Sequence, residues 1–173
     1  MQQGLDNPCW GERNNPDAET NIAMLLKKWR DHHWPVIHIQ HCSTNPISPL
    51  RPDLPGNAFK PEALPVAGEP VFRKTVNSAF IGTGLESYLV SAHIRSLVIV
   101  GLTTDHCVST SVRMAANLGF DVFLVRDATA TFERWDIDGN HISAHEMQRI
   151  HLASLSDEFC RVLTTDEVYD SVS

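Results

Sequence analysis

Cys107 stands where an apolar run, Ser96 to Leu102, passes through Thr103, Thr104, Asp105 and His106 into a helical pattern that Gly119 stops. A thiol at a strand-to-helix turn meets the helix's unpaired N–H groups and the positive end of its dipole. Both favour thiolate over thiol, and the thiolate is the nucleophile. The same N–H groups can receive an oxyanion made by attack on a carbonyl. Lys74 ends the short run Val71 to Lys74 in an otherwise acidic chain. Beside Cys107, its charge would support the thiolate. Cys42 also follows a strand pattern, but it leads into a proline-rich loop and lacks a helix terminus. Asp105 reads as the cap of the following helix. His106 reads as a pocket wall or a core histidine.

These residues need a frame. Asp17 to His33 carries Ile22, Leu25, Leu26 and Trp29 at helical spacing, with Pro16 just before it. Val36 to His41 reads as a strand. From Cys42 to Pro70 the chain holds seven prolines, a long loop of the kind that is often functional. Val71 to Lys74 reads as a strand, Thr83 to His93 as a helix, and Ser96 to Leu102 as a buried strand. Cys107 to Leu118 reads as a helix, Asp121 to Asp127 as a strand, and Ala128 to Asn140 as a polar loop. Ser143 to Asp157 (helix), Phe159 to Leu163 (strand) and Thr165 to Val172 (helix) complete the chain. Strand and helix alternate as in right-handed βαβ units, which predicts an α/β fold with a doubly wound, mostly parallel sheet covered on both faces. Ligands of such folds bind beyond the carboxyl ends of the strands. Gln40 to Ser43, Lys74 to Thr75, and Thr103 to Cys107 all end there.

The 173 residues are expected to form a single domain, residues 1–173. Hydrophobic residues make up 42% and charged residues 20%, with a net charge of −7. No long basic run is present, so no nucleic-acid partner is expected, and no stretch approaches a bilayer span, so no membrane partner is expected. The polar start carries no signal-peptide pattern, and a cytoplasmic location is expected. Cys9, Cys42, Cys107 and Cys160 include no CxxC pair and are expected to be free thiols, with Cys9 and Cys160 as small buried hydrophobes. His38 and His41 have opposite parity on one strand and face opposite sides. With His32 and His33 they make no ligand pattern, so no metal or cofactor is expected. His41 is expected to line the site, with Ser43, Phe80 and Trp135 as further substrate-facing residues. Phe132 and Trp10 offer additional aromatic walls.

The chain resembles the isochorismatase-like cysteine hydrolases over nearly its whole length. Met1 to Gly4 resembles the segment after that family's first strand. Phe72 to Phe80 resembles its lysine motif, and Gly101 to Val108 its nucleophile motif. Asp127 to Thr131 and the segment Ala144-His145-Glu146 resemble further family segments. The resemblance implies that Cys107 attacks an amide carbonyl to form a thioester and that Lys74 holds the thiolate. It places the oxyanion between the N–H groups of Thr103 and Cys107, and it implies a cis peptide at Leu102–Thr103. It implies a small amide-like substrate and a homo-oligomer. The family's acid/base aspartate would fall immediately before Met1, at the end of a strand central to the order 3-2-1-4-5-6, and the sequence is expected to start late. Gln40-His41-Cys42-Ser43 replaces the aspartate and histidines that nicotinamidases place around a metal, which favours a metal-free branch. The reading is hydrolysis of a C–N bond, amide or ureido, in a small molecule. The alternatives are vinyl-ether hydrolysis of the isochorismatase type, or a ligand-binding member that lacks the aspartate.

Overall fold

Apolar residues along two central strands alternate between faces, and the computed structural model, which describes residues 1–171, shows what covers each. Strands β3 (Ser96–Leu102), β4 (Asp121–Ala130) and β7 (Arg161–Leu163) run parallel in the order β3-β4-β7. Leu97, Ile99, Val122 and Leu124 pack onto helices α3 (Ser109–Asn117) and α4 (Ala144–Leu155) through Val112, Ala115 and Leu155. Val98, Val100, Val125 and Leu163 turn the other way. They meet α1 (Ala18–Asp31) and α5 (Thr165–Ser171) through Ile22, Leu25 and Val168. The period of two in the strands and the 3.6-residue period in the helices therefore produce the doubly wound α/β arrangement that the alternation predicts.

Strands β1 (His38–His41) and β2 (Val71–Lys74) pair in parallel, with His41 opposite Lys74. Helix α2 (Leu85–Ser91) covers them, Leu85 and Leu89 packing with Ile37, Ile39 and Phe72. Among the described residues the parallel strands fall into two ladders, β1-β2 and β3-β4-β7, in keeping with a doubly wound sheet that lacks the family's first strand. A largely apolar cavity of about 740 Å³ runs between them, with Ile37 and Ile39 on one wall and Val98 and Val100 on the other. The opening falls where the family's strand order puts a further strand.

The nucleophile turn and its surroundings also differ from expectation. The helical stretch begins at Thr104, not at Cys107: Thr104–Val108 is a π-helical turn that runs into α3. Strand β4 continues to Ala130, because the ladder resumes past a register shift, with Gly101 opposite Thr129 and Leu102 opposite Ala130. Gly101 has φ +121°, a conformation that glycine adopts without a Cβ penalty, and it re-aims the chain toward the turn. The expected loop from Ala128 to Asn140 holds a small antiparallel pair, β5 (Arg134–Trp135) with β6 (His141–Ile142). Gly119 sits at φ +87° just past α3, as its stop position requires. Ser143 caps α4 by accepting from the Glu146 N–H at 3.2 Å. The final helix is expected to reach Val172, which lies outside the described residues.

The long loop is tied down rather than free. Arg13 donates to both oxygens of Glu19, at 2.6 and 2.9 Å, and Lys60 of the loop donates to the same carboxylate at 2.7 Å. Burial alone would raise the Glu19 carboxyl, but the hydrogen bonds from Arg13 and Lys60 outweigh it and hold it at about 2. The stabilisation is complete above the ordinary carboxylate value near 4.5 and is lost as the pH falls toward 2. Urea denaturation should therefore show wild-type stability falling between about pH 5 and pH 2.5. Glu19→Gln should flatten that window by up to roughly 3 kcal/mol. Parallel pH profiles for the two proteins would remove Glu19 as the cause.

Candidate active site

Each half of the site comes from a different sheet. Lys74 ends β2 and is 4% exposed, while Cys107 lies in the turn beyond β3 and is partly exposed. Lys74 Nζ approaches Cys107 Sγ at 3.0 Å. At that distance Lys74 donates a direct hydrogen bond to the sulfur. Lys74 also donates to the Val76 carbonyl at 2.9 Å and faces His41 Nδ1 at 3.2 Å. Asn77 Oδ1 lies 3.8 Å from the sulfur. Cys107, Lys74, His41 and Phe80 all line the cavity.

The turn itself is braced from behind. Thr103 is buried, and its carbonyl accepts from the N–H groups of His106 and Val108. The Leu102–Thr103 peptide is cis. Asp105 does not cap the helix. Its carboxylate accepts from Thr131 Oγ1 at 2.6 Å and from Arg134 at 2.7 Å, tying the turn to the end of β4 and to β5. Burial would raise its carboxyl, but Thr131 and the neighbouring positive charges win and hold it low. His106 is not a pocket wall. It points outward, with its side chain 55% exposed, 3.6 Å from Asp105.

The other expected site residues divide. His41 is beside Lys74, because paired residues of adjacent parallel strands share a face. Burial and the Lys74 charge push its imidazole down to about 4, against a hydrogen-bonding contribution from the Val76 backbone. His38, on the other face, is paired with Glu69 at 2.7 Å. Phe80 lines the cavity and stacks on Phe120. Ser43 does not reach the cavity. It is buried and shapes the loop, its Oγ accepting from the Asn45 N–H and its own N–H donating to Leu50 O. Trp135 is not a pocket wall either. The β5-β6 pair carries it out to 69% exposure, edge-on to His141. Phe132 is buried with Leu5 and Leu50, with Trp10 packed alongside, so these rings serve the core. Cys9 is exposed rather than buried, while Cys160 is buried; all four cysteines are free. Among the described residues no group of three or more His, Cys, Asp or Glu is placed to hold a metal, and no helix is long and apolar enough to cross a membrane.

Two buried residues beside His41 are not among the expected site residues. Gln2 is 4% exposed; its Oε1 accepts from the His41 N–H at 2.8 Å and its Nε2 donates to the His41 carbonyl at 2.9 Å. Asn57, also buried, donates to the same carbonyl at 2.8 Å and to Leu50 O at 2.7 Å. Only the fold brings them to β1, across 39 and 16 residues of chain.

A parallel α/β scaffold with a lysine-paired cysteine at the carboxyl end of its strands defines a class, and similarity to known proteins specifies it. A family model described as the isochorismatase domain matches residues 1–167. The uncharacterised isochorismatase family protein YrdC of Bacillus subtilis is 48% identical over 168 residues, which cover 97% of this chain and 90% of the relative. A crystal structure described as a hydrolase of the isochorismatase family, from Chromobacterium violaceum, matches with a TM-score of 0.96 at 46% identity. That match covers 99% of this chain and 89% of the other. The ureidoacrylate amidohydrolase RutB of Rhizobium rhizogenes is 29% identical over 132 residues, covering 71% of this chain and 50% of the relative. The chain belongs to the isochorismatase family of hydrolases.

Proposed function

We propose that the protein hydrolyses a C–N bond, amide or ureido, of a small molecule through a thioester on Cys107. The observation that carries this reading is the 3.0 Å contact between Lys74 Nζ and Cys107 Sγ. Similarity to an amidohydrolase supports the bond type. So does the presence of a nucleophile, which hydrolysis of a vinyl ether through proton transfer does not need.

In this reading the resting pair is thiolate and ammonium. Sγ attacks the carbonyl carbon, and the π pair moves onto oxygen, where the N–H groups of Thr103 and Cys107 receive it. Collapse expels the nitrogen, which takes a proton from Lys74 Nζ. Water adds to the thioester and returns a proton to Lys74. The C–S bond then breaks, releasing the acid and restoring the thiolate. One water is consumed, and one amide becomes one acid and one amine. His41 and Phe80 face the substrate from the cavity wall. Acid quenching during turnover of a panel of small amides and ureido compounds should leave the acyl mass on the Cys107 peptide. Turnover with the adduct on Cys42, or with no adduct, would count against the reading.

A further inference from the structure

We propose, resting on the thioester reading of Cys107, that Asn77 is a specificity residue. Its Oδ1 accepts from an N–H of the scissile nitrogen. It thereby selects primary amides and terminal ureido groups over the esters of the same acids.

Asn77 stands just past the end of β2, in a segment that the helix after the nucleophile holds in place. Ser78 and Ala79, which follow it, are both buried. The Ala79 N–H donates to Ser111 Oγ at 3.0 Å, and the Ala79 carbonyl accepts from Thr83 Oγ1 at 2.6 Å. Ser111 belongs to α3, which continues the turn that bears Cys107. The nucleophile and the backbone beside Asn77 are therefore fixed to one helix. A group held this way keeps its distance from the reacting atom without being buried.

Asn77 is exposed, and its Oδ1 lies 3.8 Å from Cys107 Sγ. Among the described residues no other group donates to this oxygen, and none accepts from Nδ2. On the thioester reading the sulfur attacks as the thiolate and has no proton to give. Oδ1 is then an unused acceptor beside the nucleophile. Attack sets Sγ about 3–3.5 Å from the carbonyl carbon, and the C–N bond adds about 1.3 Å at a wide angle. The scissile nitrogen then stands about 3.5 Å from the sulfur. A hydrogen bond of about 2.9 Å from that nitrogen to Oδ1 closes the triangle. An ester puts an oxygen lone pair where the amide has its N–H, so the same contact is lost and turns repulsive.

The test pairs primary amides of short aliphatic and aromatic acids with the methyl esters of the same acids. It measures kcat/KM for both members of each pair, and acid-quenched peptide mass spectrometry follows the acyl group on Cys107. Asn77→Leu keeps the side-chain volume and removes the acceptor. It should lower kcat/KM for the amide about tenfold and leave the ester within about threefold of wild type. Asn77→Ala, which vacates the position, should give the same split. Both variants should melt with the wild type, because the side chain is exposed. An equal loss on amide and ester, or no loss on the amide, overturns the proposal, and an acyl adduct on Cys107 in those reactions leaves the thioester reading standing. Wild-type protein that takes the acyl group from esters but cleaves no amide also overturns the proposal alone. Wild-type protein that cleaves no pair and carries no adduct on Cys107 overturns the thioester reading and the proposal with it.

Discussion

Cys107→Ala is expected to lower kcat by about 10⁴-fold or more on any substrate the enzyme turns over, with the fold intact. On the proposed cycle the sulfur forms and breaks the covalent bond, and no neighbouring group replaces it. Its structural role is small. Cys107 is partly exposed, and its side chain touches Lys74 and Asn77 rather than the apolar clusters. Thermal denaturation should place the variant within a few degrees of wild type. Cys107→Ser should be nearly as inactive, because an alcohol is a far weaker nucleophile than a thiol. Product release measured alongside the melting curve checks both parts. A Cys107→Ala protein that keeps more than about a hundredth of wild-type kcat would remove Cys107 as the nucleophile.

Lys74→Met should separate activity from stability. Methionine keeps most of the side-chain volume and removes the charge. On the proposed cycle Lys74 stabilises the thiolate, gives the leaving nitrogen its proton and takes one back from water. Loss of those roles is expected to lower kcat by about 10³-fold. Among the described residues Lys74 contacts an imidazole, a carbonyl and a sulfur. An apolar replacement of like volume for a buried charge is commonly close to neutral. The urea midpoint of Lys74→Met should therefore stay close to that of wild type. A variant that loses stability in proportion to activity would show Lys74 to be a structural residue.

Sequence patterns reached some parts of this molecule more easily than others. Strand β3 is legible end to end, because a continuous apolar run leaves no alternative to a buried strand. Helix α1 is legible from Ile22, Leu25, Leu26 and Trp29. Beyond Asp127 the chain reads as a loop because Ala128, Thr129, Ala130 and Thr131 lack apolar alternation, yet all four are fully buried. Their small side chains suit close packing, which composition does not announce. The β5-β6 pair, two residues on each side, is too short for any periodicity to register. Lys74 and Cys107 were visible from residue type and place. Gln2 and Asn57 were not, since each works through an amide bonded to backbone that only the tertiary fold delivers. Trp135 shows the reverse error: a large aromatic in a loop suggests a pocket wall, and the hairpin turns it outward.

The buried Asp105 carboxylate has a mechanical consequence. It accepts from Thr131 and from Arg134, so the turn that bears Cys107 is anchored to the end of β4 and to β5. Any displacement of the β5-β6 pair is carried to that turn through two short hydrogen bonds.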